Sequence, residues 1–148
     1  MEQVDLLFGK TVKSGKRAKP KKKEESLQLM VSKYLRSKYP EAIFNSDIAS
    51  GMCLPIWIAA KAKAQRSERG QPDMIILEPR GIYFGLCLEL KNEYSDVYLK
   101  DGTISNAKSN KHVLEQNEIL NRLGDKGYYA DFAFRENWQQ IIDDYFAL

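Results

Sequence analysis

Cysteine is scarce in this chain of 148 residues: only Cys53 and Cys87 occur, beside a single histidine, His112. Two thiols cannot build a disulfide framework, and with one histidine they argue against a Cys/His zinc site. Cys87 lies inside an apolar run and reads as a small core residue. His112 reads as a helix-surface residue. No apolar run approaches the roughly 18–20 residues needed to cross a bilayer. The N-terminus lacks the apolar core of a signal peptide. The chain is therefore expected to be soluble and cytoplasmic, without a membrane partner.

Charge is present in both signs, but unevenly. Residues 1–23 carry eight Lys or Arg against Glu2 and Asp5, a net of +6, whereas the other 125 residues carry 15 basic and 18 acidic groups, a net of −3. A basic arm thus precedes a slightly acidic body. Within it "KTVKSGKRAKPKKK" (10–23) has too little apolar content to pack and is expected to be flexible. Such an arm either binds nucleic acid through its phosphates or serves solubility, and composition supports both equally. Residues 24–148 suffice for one domain with its own core.

From Glu24 the pattern is helical: Leu27, Met30, Val31, Tyr34 and Leu35 mark one buried face, and Pro40 ends it. "AIFN" (42–45) reads as a short strand. Residues 46–70 have weak periodicity and read as a long, partly structured loop, a length that is often functional. Residues 73–77 and 83–91 read as strands joined through "EPRGI", and 94–105 as an excursion turning at Asp101-Gly102. A helix over 108–123, a strand over 128–134 and a helix over 136–148 complete the chain. The order predicts an α/β domain with a small mixed sheet flanked by helices.

The segment "RGQPDMIILEPRGIYFGLCLELK" (69–91) carries the chemistry. In an antiparallel hairpin, opposed residues have a constant sum of numbers. A turn centred on Gly81 gives 162, which sets Asp73 opposite Glu89. Directly opposed Cβ atoms lie about 4.5–5.5 Å apart. Lys91, two residues beyond Glu89, shares its face, while Leu88 and Leu90 point to the core. Two adjoining buried carboxylates repel unless a counter-charge joins them. Lys91 supplies one, and a divalent cation with hard oxygen ligands, Mg²⁺ or Mn²⁺, would supply more. Such an ion activates water against a phosphodiester, and a lysine can stabilise the developing charge. The plainer alternative is a solvated strand end.

Two further positions border the same site. Glu24, on the expected first turn of the opening helix, is one turn before Gln28, and its spacing favours it over Glu25. Gln116 sits between Val113 and Leu120 on a helix edge. Each could equally be an ordinary surface residue.

"EESLQ", "GQPDM", "LELK" and "EQNEILNRLGDKGYYA", followed by "WQQIIDDYF", come in the order found in the VRR-NUC branch of the PD-(D/E)xK nucleases. From about Glu24 to the C-terminus the chain resembles that family. The resemblance implies a restriction-endonuclease-like core and Mg²⁺- or Mn²⁺-dependent DNA cleavage. It implies Asp73, Glu89 and the Leu90 carbonyl as metal ligands, Lys91 as catalytic, and Glu24 and Gln28 completing the site, Glu24 as a further carboxylate for the metal. The helix position of Gln116, independently, sets it within reach. Stand-alone members of this size resemble phage-encoded enzymes, some of them homodimers that cut branched DNA such as Holliday junctions. Lys61, Lys63, Arg66 and Arg69, just upstream of Asp73, are expected to hold DNA backbone near the metal, a solvated loop being the alternative.

"QVDLLF" (3–8) resembles the peptide by which replication proteins dock on a sliding clamp, with Gln3, Leu6 and Phe8 as its anchors. Two classes of function follow. One is a structure-selective DNA endonuclease; the other is a catalytically silent DNA-binding or assembly protein of the same fold.

Overall fold

The structure, a computed structural model, describes residues 26–47 and 53–148. Helix α1 (Leu27–Lys38) starts at a cap: Ser26 is extended (φ −64°, ψ 143°), and its hydroxyl accepts from the Leu29 N–H at 3.3 Å. Such a cap is worth about 1 kcal/mol. The spacing that favours Glu24 over Glu25 presumes a helix reaching back to 24; the helix instead begins at Leu27, and both glutamates lie outside the described residues. Gln3, Leu6 and Phe8 lie outside them too, as does the whole basic arm.

Four strands form one mixed sheet in the order β1 (Phe44–Ser46), β2 (Met74–Ile76), β3 (Leu86–Lys91), β4 (Tyr129–Phe134). The first three run antiparallel, and β4 lies parallel to β3. A parallel neighbour needs a crossover, supplied here by α3 (Lys111–Asp125). The last helix is α4 (Trp138–Phe146).

Alternation along the strands divides the core into two. Leu27, Val31 and Leu35 of α1 and Trp138, Ile142 and Tyr145 of α4 pack with Met74, Ile76, Leu86, Leu88 and Ala133. Val113 and Leu120 of α3, with Val97, pack with Phe132 and Phe134. Helices therefore cover both sheet faces. Asp143 of α4 clamps α1: it accepts from Tyr34 Oη at 2.7 Å, Tyr39 Oη at 2.8 Å and Lys38 Nζ at 2.7 Å.

The hairpin holds the expected register by an unexpected route. Met74, Ile75 and Ile76 face Leu88, Cys87 and Leu86, each pair summing to 162. At the tip, however, Arg80 and Tyr83 exchange both backbone hydrogen bonds and sum to 163. Residues 77–79 thus oppose only 84 and 85, and this extra residue restores the ladder sum. Gly81 takes φ +54° at the tip, a conformation that suits glycine.

The span 46–70, expected as a long, partly structured loop, is more regular than that in its described part from residue 53 on. It contains a helix of 9 residues, α2 (Ile56–Ala64), opened by Pro55. Ala59, Ala60, Ala62 and Ala64 favour helix by intrinsic propensity. None of its residues is buried, so no apolar stripe announces it.

Candidate active site

Backbone geometry creates the site at one end of the sheet. Tyr129 N–H donates to the Gly85 carbonyl at 2.9 Å, so odd-numbered residues of β3 turn their backbone groups toward β4 and even-numbered ones toward β2. The next rung after Met74–Leu88 would join positions 72 and 90. Position 72 is Pro72, which has no N–H to give. The Leu90 N–H is taken by the Asp73 side chain instead, at 2.9 Å to Oδ2. The sheet ladder therefore supplies no donor for the Leu90 carbonyl, which shares this edge with the Asp73 carboxylate.

Asp73 is held from a second side. Gln28 Nε2 of α1 donates to its Oδ1 at 3.2 Å and to the Asp47 carbonyl at 3.1 Å. Asp47 N–H in turn donates to the Asp73 carbonyl at 2.9 Å, continuing the β1–β2 ladder. Gln28 thus ties α1, the end of β1 and the start of β2 into one corner.

Glu89 and Lys91 stand on the α3 side of β3. Glu89 is 3% exposed, and its Oε1 lies 3.3 Å from Lys91 Nζ. Gln116 of α3 joins both: its Nε2 donates to Glu89 Oε1, and its Oε1 accepts from Lys91 Nζ at 2.8 Å. This fixes the orientation of the amide, since the reverse would set two donors face to face. Burial first, and the neighbouring Asp73 carboxylate second, push the Glu89 carboxyl up to about 8, and Lys91 offsets only part of this. Lys91 remains partly open, its side chain 17% exposed.

Asp73, Glu89, Lys91, Gln28 and Gln116 are therefore brought together, with Leu90 between them. Among the described residues, no group of three His, Cys, Asp or Glu side chains converges. Glu24 lies outside those residues. The donors present still suit a hard cation: two carboxylates and a carbonyl, with water and substrate oxygens filling the rest, is the way Mg²⁺ is usually held.

The segment entering Asp73 is pinned to the site. Gly70 (φ +80°) lies so close to α3 that a Cβ would come within 3.3 Å of the Glu115 carbonyl and 3.4 Å of the Gln116 backbone. Arg122 Nη1 lies 2.7 Å from both oxygens of Glu68. Arg66 pairs with Asp47 at 2.5 Å, which makes it a structural tie. Lys61, Lys63 and Arg69 are exposed. Pro72 escaped the sequence reading although the same sum of 162 locates it opposite Leu90. The Asp47 contacts to Gln28 and Asp73 are made by backbone groups and left no sequence signal. His112 is exposed, as expected, and Cys87 is buried, which pushes its thiol up to about 11.

Neither a protein-family model nor a curated protein matches the chain. A solved structure described as a VRR_NUC domain protein is similar to it, with 27% sequence identity over 71% of this chain and 68% of that one and a TM-score of 0.48. No described helix is long and apolar enough to cross a membrane.

Proposed function

We propose that this chain is a metal-dependent DNA endonuclease that hydrolyses phosphodiester bonds, selective for branched DNA such as a Holliday junction. The observation that carries this reading is the buried Asp73–Glu89 pair with Lys91 held beside it. A carboxyl pushed up to about 8 is an expensive feature for a mere strand end. Mg²⁺ or Mn²⁺ held by Asp73, Glu89 and the Leu90 carbonyl, with Glu24 as a further carboxylate, would polarise the phosphodiester and acidify a water.

The chain's own residues do the rest. Gln28 and the Leu90 N–H hold one Asp73 oxygen each, which fixes the direction of the carboxylate. Gln116 keeps the Lys91 ammonium on the same side as Glu89. From there Lys91 can donate to the attacking water or to the phosphate oxygens as negative charge develops. Lys61, Lys63 and Arg69 supply phosphate contacts upstream. The described residues of each chain hold one such cluster, so cutting both strands of a junction calls for a homodimer.

The test is incubation of purified protein with end-labelled four-way junction, splayed-arm and plain duplex DNA, with EDTA, Mg²⁺ or Mn²⁺. Wild type should cut only with metal, branched DNA first, and Lys91→Ala should not cut. If both proteins bind DNA and neither cuts it, the catalytic reading fails and a DNA-binding role replaces it.

A further inference from the structure

Helix α2 begins Ile-Trp-Ile, yet it buries none of its residues. Ile56 is 89% exposed and Trp57 69%. Ile58 and Ala62, four residues apart, are half-buried and mark the side turned to the body, and Leu54 just ahead of the helix is half-buried too. Outward, each apolar residue leads to a cation on its own ridge: Trp57 to Lys61 one turn on, and Ile56 to Lys63 two turns on. Residues 53–67 contain Lys61, Lys63 and Arg66 and no acidic residue.

This helix is tethered to the active edge. Arg66, two residues past its end, pairs with Asp47. The carbonyl of Asp47 accepts from Gln28, which also holds Asp73. The C-terminal end of α2 is thereby held at the Asp73 corner, with Trp57 two turns back along the helix.

We propose that Trp57 is a stacking platform for an unpaired base, with Lys61 and Lys63 holding phosphates of that single strand. The proposal rests on the nuclease reading and gives it a source of selectivity. Every base has a face that can stack on an aromatic ring, and phosphates need only cations, so this pairing recognises unpaired nucleic acid whatever its sequence. In paired DNA the base faces are already stacked, leaving Trp57 without a partner. A second copy of the chain is the less suitable occupant. Two copies of α2 packed about a two-fold axis would bring four lysines together with no acidic residue in the segment to meet them.

The experiment uses the full chain carrying Lys91→Ala, so that DNA stays intact in Mg²⁺. Binding to a splayed-arm duplex and to the fully paired duplex is measured by anisotropy, and tryptophan emission is recorded in parallel. Of the two tryptophans, Trp138 is buried, so only Trp57 can stack on DNA. Splayed-arm DNA should quench emission and paired duplex should not, and the quench should vanish in Trp57→Phe while affinity is mostly kept. Trp57→Ala should bind the splayed arm about tenfold more weakly and the paired duplex unchanged. Lys61→Ala and Lys63→Ala should each lower the salt slope by about 1.

Equal affinity of Trp57→Ala and its parent for the splayed arm overturns the proposal. So does a change from dimer to monomer on sedimentation of Trp57→Ala, which would assign the helix to a second copy. Metal-dependent cutting by the chain with native Lys91 is scored separately. Cutting that survives Trp57→Ala with its branch preference intact removes this assignment and leaves the nuclease reading standing.

Discussion

Lys91 Nζ lies 3.3 Å from a carboxylate oxygen of Glu89, two residues back on the same strand, and one Gln116 side chain bridges the pair. Glu89 is thereby compensated by one cation and one neutral donor, too little to undo the effect of its burial.

Removing the ammonium tests the chemistry first. Lys91→Ala is expected to lower metal-dependent cleavage by at least about 10²–10³-fold, the effect of deleting a donor aimed at developing charge. Its circular dichroism should match wild type. Initial rates on the best DNA substrate check this.

Gln116→Leu fills similar space and removes both bonds of the bridge. Leaving buried polar groups short of partners costs about 1–3 kcal/mol, so the melting temperature should drop by several degrees. Cleavage should fall with kcat affected more than KM, because Lys91 loses its orientation rather than DNA its contacts. Thermal melts and steady-state kinetics separate the two effects.

Pro72→Ala restores an N–H where the ladder would use one. The new backbone amide at this position is expected to bond the Leu90 carbonyl and to exchange slowly with solvent. Competition for that oxygen should weaken Mn²⁺ binding about tenfold, seen by calorimetry without any substrate. Rapid exchange of this amide combined with unchanged Mn²⁺ affinity would show that the proline does not free the carbonyl.

The Glu89 carboxyl sets a pH dependence whose sign is fixed. Between its ordinary 4.5 and about 8, the folded chain keeps a proton that the unfolded chain has lost. Stability therefore falls as pH rises through that window, by an amount on the order of 4 kcal/mol at its upper end. Glu89→Gln should match wild type near the lower end and melt several degrees higher above about pH 9. Mn²⁺ binding should release close to one proton at about pH 6 and few above about pH 9, measurable by calorimetry in buffers of different ionisation heat.

The site was largely legible in the sequence because strands count in twos. Asp73, Glu89 and Lys91 fall on one side of the sheet for any hairpin summing to 162, and Gln116 follows from its place between Val113 and Leu120. The tip, however, sums to 163. Two irregularities cancelled, and the local turn would have misled without the extra residue at 77–79. Helix α2 was not legible, since periodicity reports burial and no residue of α2 is fully buried. Alanine content was the available signal. The start of α1 was misjudged because Glu24 and Glu25 look helical, whereas Ser26 has the side chain that caps.

The Asp143 clamp ties the completion of the site to the order of synthesis. Lys38 and Asp143 are separated by 105 positions, and the same carboxylate also takes the hydroxyls of Tyr34 and Tyr39. A nascent chain on the ribosome can make α1 and all four strands before Asp143 exists. Until then, Tyr34, Lys38 and Tyr39 lack the carboxylate that ties them to α4, and Tyr145 is not there to pack in the same core. The corner around Asp73 therefore draws its support through α1 from a carboxylate at the other end of the domain.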